Sequence, residues 1–148
     1  MTRTVLLEFL KSRRYVMQSS VSPSGAPQAA VIGVAVSDTF EIVFDTLAST
    51  RKAHNLTREP RIALVFGSLE ADVSVSVQYE GIVDQPSGDD LDRLLELYLR
   101  VFPDGRERQG WPGLMYLRAR PTWLRYSDFS QDPPSILEFD ADDLQRLR

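Results

Sequence analysis

The chain has 148 residues, 43% hydrophobic and 26% charged, with a formal net charge of -4. That length fits one domain, residues 1–148, with room for a sizeable core. The negative balance argues against a general nucleic-acid role, and the absence of cysteine excludes disulfides, thiolate metal sites and a thiol nucleophile.

No apolar run approaches the roughly 20 residues of a membrane span. The opening MTRTVLLEFLKSRR has a short apolar run with its cations after it, which is not the order of a signal peptide. The chain is therefore read as cytoplasmic. Val5, Leu6, Phe9 and Leu10 recur at helical spacing, with Thr2 or Thr4 as the cap and Lys11, Arg13 and Arg14 at the favourable end of the helix dipole.

Residues 15–21 (YVMQSSV) read as a strand, and Ser22-Pro23-Ser24-Gly25 as a turn. Residues 28–36 (QAAVIGVAV) form a second strand, apolar almost throughout, so both of its faces are expected to be covered. Gly33 inside it marks either a bulge or a close approach by a ligand or another backbone. Ser37-Asp38-Thr39 turns the chain into a third strand, residues 40–45 (FEIVFD).

The next stretch, TLASTRKAHNL, opens a short helix that must end by Pro60. Ser49 or Thr50 is a natural N-cap. Arg51 and Lys52 follow, although a helix N-terminus carries about half a positive charge and favours anions. No acid stands at the capping-box position, because three residues after Ser49 comes Lys52 and three after Thr50 comes Ala53. Free N–H groups, hydroxyls and two cations thus converge with nothing local to neutralise them. A phosphate would do so; a solvated basic turn paired with a distant carboxylate is the alternative.

Residues 61–66 (RIALVF) are a further strand, and residues 72–83 (DVSVSVQYEGIV) a long alternating one that Gly81 kinks or bulges. Leu91, Leu94, Leu95, Tyr98, Leu99 and Phe102 form one helical stripe within residues 87–102, started by Asp89, Asp90 and a capping box of Ser87 with Asp90. Residues 106–112 read as a polar loop in which Trp111 is a lid or simple packing. Residues 114–126 are the last strand, with Pro121 at an edge, bulge or break. Residues 127–135 read as loop and residues 140–148 as a short helix. Strands joined by hairpins, with few open edges, suggest a small antiparallel barrel.

The usual catalytic kits are missing. His54 is the only histidine, which excludes His-rich metal sites and reads as a structural or phosphate-shell residue rather than a base. No Walker loop, GxGxxG or nucleophile elbow is present. A chain with an anion site but no acid, base, nucleophile or metal set implies chemistry carried by a bound cofactor.

Taken together, GAPQAAVIGVAV, FEIVFDTLASTRKAHNLTREPRIALVF, VQYEGIVDQ and LRARPTWLRYSD resemble the pyridoxamine 5′-phosphate oxidase-related, FMN-binding split-barrel family. The resemblance implies a mainly β (α+β) fold, a six-stranded antiparallel split β-barrel with a few flanking helices, which forms a homodimer holding two flavins at its interface. It implies that Arg51 and Lys52, with Thr46, Thr50 and the adjacent Ser49 hydroxyl, hold the FMN phosphate. It also implies that Ala30, Val31, Ile32 and Gly33 pass the flavin ring edge and offer it backbone groups. Where the family often carries a glutamine before the EG step, this chain has Ser76.

The family's oxidase carries a C-terminal Trp-x-x-x-x-x-Arg-Leu-His signature for its vitamin B6 substrate. It is absent here, so oxidation of pyridoxamine phosphate is not expected. The expectation is a flavin-dependent oxidoreductase with an unassigned small-molecule substrate. The alternatives are a reductase using the deazaflavin F420, a non-catalytic flavin carrier or sensor, or a protein that kept the fold and lost the cofactor. F420 has a longer acidic tail, and Arg118, Arg120 and Arg125 are the residues that would extend a basic groove for it.

Overall fold

A computed structural model describes residues 1–67 and 74–148. In chain order the elements are α1 (Arg3–Ser12), β1 (Tyr15–Val21), β2 (Pro27–Gly33), β3 (Ala35–Val36), β4 (Ile42–Leu47), α2 (Arg51–Arg58), β5 (Arg61–Phe66), β6 (Val75–Asp84), α3 (Gly88–Val101), α4 (Gly105–Arg108), β7 (Leu114–Asp128), β8 (Ser135–Asp140) and α5 (Ala141–Arg146). No helix among the described residues is long and apolar enough to cross a membrane.

The strands form one antiparallel sheet in the order β2-β1-β5-β6-β7-β4-β3, with β8 added on β7. The two ends of that order, β2 and β3, are one segment interrupted at Val34. Its first part pairs with β1, from Tyr15 opposite Gly33 to Val21 opposite Pro27. Its last part pairs with β4, Ala35 opposite Val43 and Val36 opposite Ile42. A single strand that leaves one neighbour and joins another curls the sheet on itself, giving the split barrel.

Six barrel strands result when β2 and β3 are counted as one, and β8 is an addition the sequence reading placed partly in loop. Asp132, Pro133 and Pro134 before it gave a loop signal, while the pairing that makes SILEFD a strand comes from β7, Trp123 opposite Asp140 through Asp128 opposite Ser135. The strand expected at residues 72–83 runs from Val75 to Asp84 among the described residues; Asp72 and Val73 lie outside them. Its register shifts between Glu80 and Gly81, where Gly81 faces Pro121. A Cβ on Gly81 would stand 2.6 Å from the Arg120 carbonyl oxygen, so only glycine fits that bulge.

The barrel interior is filled by inward residues of every strand, including Val16, Ile42, Phe44, Leu64, Phe66, Val77, Tyr79 and Leu124, and by Leu6 and Leu10 of α1. A second cluster, Val43, Leu94, Tyr98, Leu99 and Phe102, packs the apolar stripe of α3 on the outside of β4 and β3. Thr2 caps α1, its hydroxyl accepting from the Val5 N–H. The capping box expected at α3 does not form. Ser87 sits at the N-cap without a side-chain bond, because Asp90 is drawn instead to Arg93 and Arg118.

Candidate functional site

The opening in the barrel is set by register. Val34 N–H donates to the Arg14 carbonyl, and Ser37 N–H donates to the Glu41 carbonyl. Alternation then turns the backbone groups of even-numbered residues of β2 toward β1, and those of Ala29, Val31 and Gly33 away from it. Extending the β3–β4 register would set Gly33 opposite Asp45 and Ile32 opposite Thr46, but pairing stops at Ala35. Beyond that point β2 and β4 diverge, and the unpaired edge of β2 faces the end of β4 that leads into α2.

Both faces of this part of β2 were expected to be covered, and within the chain they are not. Ala29, Ala30 and Val31 are all exposed, Val31 by 68%, although strand alternation points them to opposite sides. Ile32 turns its side chain into the core. A Cβ on Gly33 would lie 2.8 Å from Cζ of Phe102, so the residue makes room for the ring that ends α3.

At the far side of the opening, Thr46 is buried and its hydroxyl lies 2.9 Å from that of Thr50. Thr50 is the N-cap of α2, its Oγ1 accepting from the Ala53 N–H at 3.3 Å and donating to the Leu47 carbonyl at 2.9 Å. His54 N–H donates to the Thr50 carbonyl. The N–H groups of Arg51 and Lys52, the first two of the helix, have no partner among the described residues. Arg51 is exposed, Lys52 half-buried and Ser49 exposed, and the first turn holds no acid. Neither cation is paired with a carboxylate among the described residues. Two N–H groups, hydroxyls and two unopposed cations are the donor set a phosphate takes, so these residues fit the phosphate end of FMN.

Ser76 is not brought to this cluster by its own chain. It is half-buried on β6 opposite Ser127, while Thr46 faces Met115. Those two positions of β7 are twelve residues apart, up to about 40 Å of extended strand. His54 lies exposed on α2.

The three arginines considered for a longer basic groove are engaged elsewhere. Arg118, 7% exposed, reaches Asp84 at 2.7 Å, Glu41 at 3.1 Å and Asp90 at 3.1 Å. Arg120 shares Asp84 at 3.0 Å, and Arg125 lies 3.9 Å from Glu138. Arg118 also holds the Asp84 carboxyl below the usual carboxylate range by its hydrogen bond. Burial pushes the Glu41 carboxyl up, but bonds from Arg93, Thr39 and Ser37 hold it net below its ordinary value.

One contributor the sequence did not show is Arg108, placed in a loop by its polar surroundings. It lies on the short α4, 3.0 Å from Asp45 and 2.6 Å from Asp104, and its Nη2 donates to the Tyr98 hydroxyl. With Ala48 N–H donating to the Gly113 carbonyl, it braces the chain on either side of Thr46. Trp111 of the same loop is 51% exposed.

The sequence pattern described as pyridoxamine 5′-phosphate oxidase matches residues 3–128. The chain belongs to the pyridoxamine 5′-phosphate oxidase family. Solved structures carry its fold widely. A heme binding protein from Mycobacterium smegmatis superposes with a TM-score of 0.84 at 13% identity, over 99% of this chain and 61% of that one. This chain thus spans about three fifths of the length of that relative. HutZ, the heme storage protein from Vibrio cholerae, gives 0.69 at 13% identity, over 80% and 88%. A pyridoxamine 5′-phosphate oxidase-related, FMN binding protein from Nostoc punctiforme gives 0.68 at 15%, over 93% and 87%. Comparison with curated proteins returned no match. At these identities the likenesses show the split-barrel fold of the family and leave the ligand of this member to its own residues.

Proposed function

We propose that this member of the pyridoxamine 5′-phosphate oxidase family binds FMN across the split between β2 and β4 and acts as a flavin-dependent oxidoreductase on a small molecule. The observation that carries the reading is the start of α2. Among the described residues Arg51 and Lys52 stand unopposed there, beside two N–H groups without a partner and the hydroxyls of Thr46, Ser49 and Thr50. These groups hold the phosphate, and β2 from Ala30 to Gly33 orients the ring, with the backbone groups of Val31 and Gly33 on its unpaired edge. FMN when bound supplies the electron transfer that no side chain here provides.

A homodimer with the cofactor at its interface fits the same surface. Val31, Met17 and Val65 stand in one cross-strand row on the outside of β2, β1 and β5, and they are 68%, 38% and 37% exposed. Gln78 opposite Val65 continues the row, and Ser76 lies on the same side of β6. A second copy on this face covers the apolar row. It also brings a Ser76 to a cofactor that its own chain cannot reach with that residue.

FMN is favoured over F420 because Arg118 and Arg120 are consumed by carboxylates and leave no extended basic groove. Haem, which two of the structural relatives carry by name, would have a single imidazole available, His54, exposed on α2. The test is an absorption spectrum of the purified protein, then titration of the stripped protein with FMN, F420 and haem. Saturable FMN binding supports the proposal, and reoxidation of the reduced flavin by a small-molecule acceptor separates an enzyme from a carrier. Binding of F420 or haem alone, or of none of the three, overturns it.

A further inference from the structure

A cleft of about 1060 Å³ lies at the other end of β4 from α2, between α1, the turn before β4, α3, the middle of β7 and α5. None of the residues assigned to the FMN site lines it. Its charged residues can be matched almost completely. Lys11 pairs with Asp38, Arg93 with Glu41 and Asp90, Arg100 with Glu96, and Arg120 with Asp84. The one cation of the lining without a carboxylate partner among the described residues is Arg3.

Arg3 is nevertheless held in place. Its Nη1 donates to the Leu144 carbonyl at 3.0 Å and its Nη2 to the Asp38 carbonyl. Its guanidinium lies over the Phe40 ring, 4.9 Å from the centroid. Neutral carbonyls and a ring face fix its position; the Asp38 carboxylate also feels the Arg3 charge but makes its ion pair with Lys11, and a guanidinium has five N–H donors, of which these bonds use two. Beside it the cleft offers apolar surface from Leu97, Pro121 and Ala141.

We infer that this cleft is a second binding site, for a small amphipathic organic anion: one carboxylate on Arg3 and an apolar body along Leu97 and Pro121. A carboxylate is the planar acceptor that a fixed guanidinium takes bidentately. A single negative charge matches the single unmatched cation, while the remaining ion pairs rim the cleft and disfavour a wholly apolar guest.

Decanoate is the probe, titrated calorimetrically into the full chain with and without FMN, against methyl decanoate as the uncharged control. Decanoate binds at one saturable site, about tenfold or more tighter than the ester. Arg3→Gln loses about the same factor, the size expected for one charge-assisted hydrogen bond. Amide shifts induced by decanoate in the wild-type chain map to Phe40, Leu97 and Leu144, a readout that stands even if Arg3→Gln does not fold. Equal binding of acid and ester, unchanged affinity in a folded Arg3→Gln, shifts that map to the outer face of β1 and β2, or no binding overturns the inference. Because decanoate binding is read both with and without FMN, the result is independent of whether the protein is a flavoprotein.

Discussion

Two clusters of cations in this chain carry the same sign of charge in opposite settings. At the start of α2, Arg51 and Lys52 have no carboxylate partner among the described residues, and the first turn holds no acid. Where β7 passes α3, Arg118 is buried and grips Glu41, Asp84 and Asp90, with Arg93 and Arg120 sharing the same acids. A buried cation with its counter-charges in place is costly to remove singly, because it leaves those charges uncompensated; a cation at a helix N-terminus adds to the positive end of the helix dipole and suits an anion. The distinction lies in where the acids are in space, and the two sites should therefore fail in different ways.

The largest effect is expected at α2. Replacing Arg51 and Lys52 together by alanine removes two charge-assisted contacts of about 1.5–3 kcal/mol each. FMN affinity should fall roughly a hundredfold or more, while the midpoint of chemical denaturation of the cofactor-free protein stays put. Unchanged flavin retention in the double variant would sink the phosphate assignment.

Arg118→Met inverts that pattern. It leaves Asp84 without its main counter-charge and Glu41 with Arg93 alone, which costs about 3–5 kcal/mol of folding free energy in a mostly buried setting, and FMN affinity measured on the folded fraction is unaffected. Acid titration of stability sharpens the point. The folded carboxyls of Glu41 and Asp84 are held below their ordinary values. Their stabilisation is therefore fully present above their unfolded values, near about 4, and is lost as the pH falls through the folded ones. In Arg118→Met the stability curve should flatten in that acid range. A variant as stable as the wild type, with the same acid limb, would show that the network is inert.

Gly33 separates a ligand-facing glycine from a packing one. Gly33→Ala places a Cβ 2.8 Å from the Phe102 ring, and overpacking of this kind costs about 1–3 kcal/mol. Phe102→Leu in the same chain should recover part of that loss, so that the double variant is more stable than the sum of the two singles. Strict additivity would mean that the ring is not what Gly33 accommodates.

The features legible in the sequence are those whose parts lie close together along it. The start of α2 was visible because the cap, the two cations and the missing acid all fall within residues 46–53. Residues 15–21 and 61–66 read as strands with the bounds that β1 and β5 have, and the order of elements together with the quoted segments was enough to resemble the right family. Partners distant in sequence were not legible. Phe102 fills the space over Gly33 from the end of α3, and Arg118 finds Glu41 across 77 positions. The split depends on β2 parting from β4 at Val34, a matter of register that composition does not carry. β8 depends on β7 for its pairing, and its short stretch after two prolines was not read as a strand without that neighbour.

The smallest expected effect lies inside the α2 site and divides its hydroxyls. Thr50 already has structural work: it caps α2 through the Ala53 N–H and is joined to Thr46. Ser49 beside it is exposed. Thr50→Ala should therefore lower stability by about 1 kcal/mol, the usual value of an N-cap, and weaken FMN as well. Thr50→Ser keeps the accepting oxygen and both properties. Ser49→Ala should leave stability within about 0.5 kcal/mol of wild type, so any loss of FMN affinity in it reports on the ligand alone. If Ser49→Ala destabilises the cofactor-free protein as much as Thr50→Ala does, the cap is shared between them. The division of α2 into a structural hydroxyl and ligand-facing groups would then be wrong at this position.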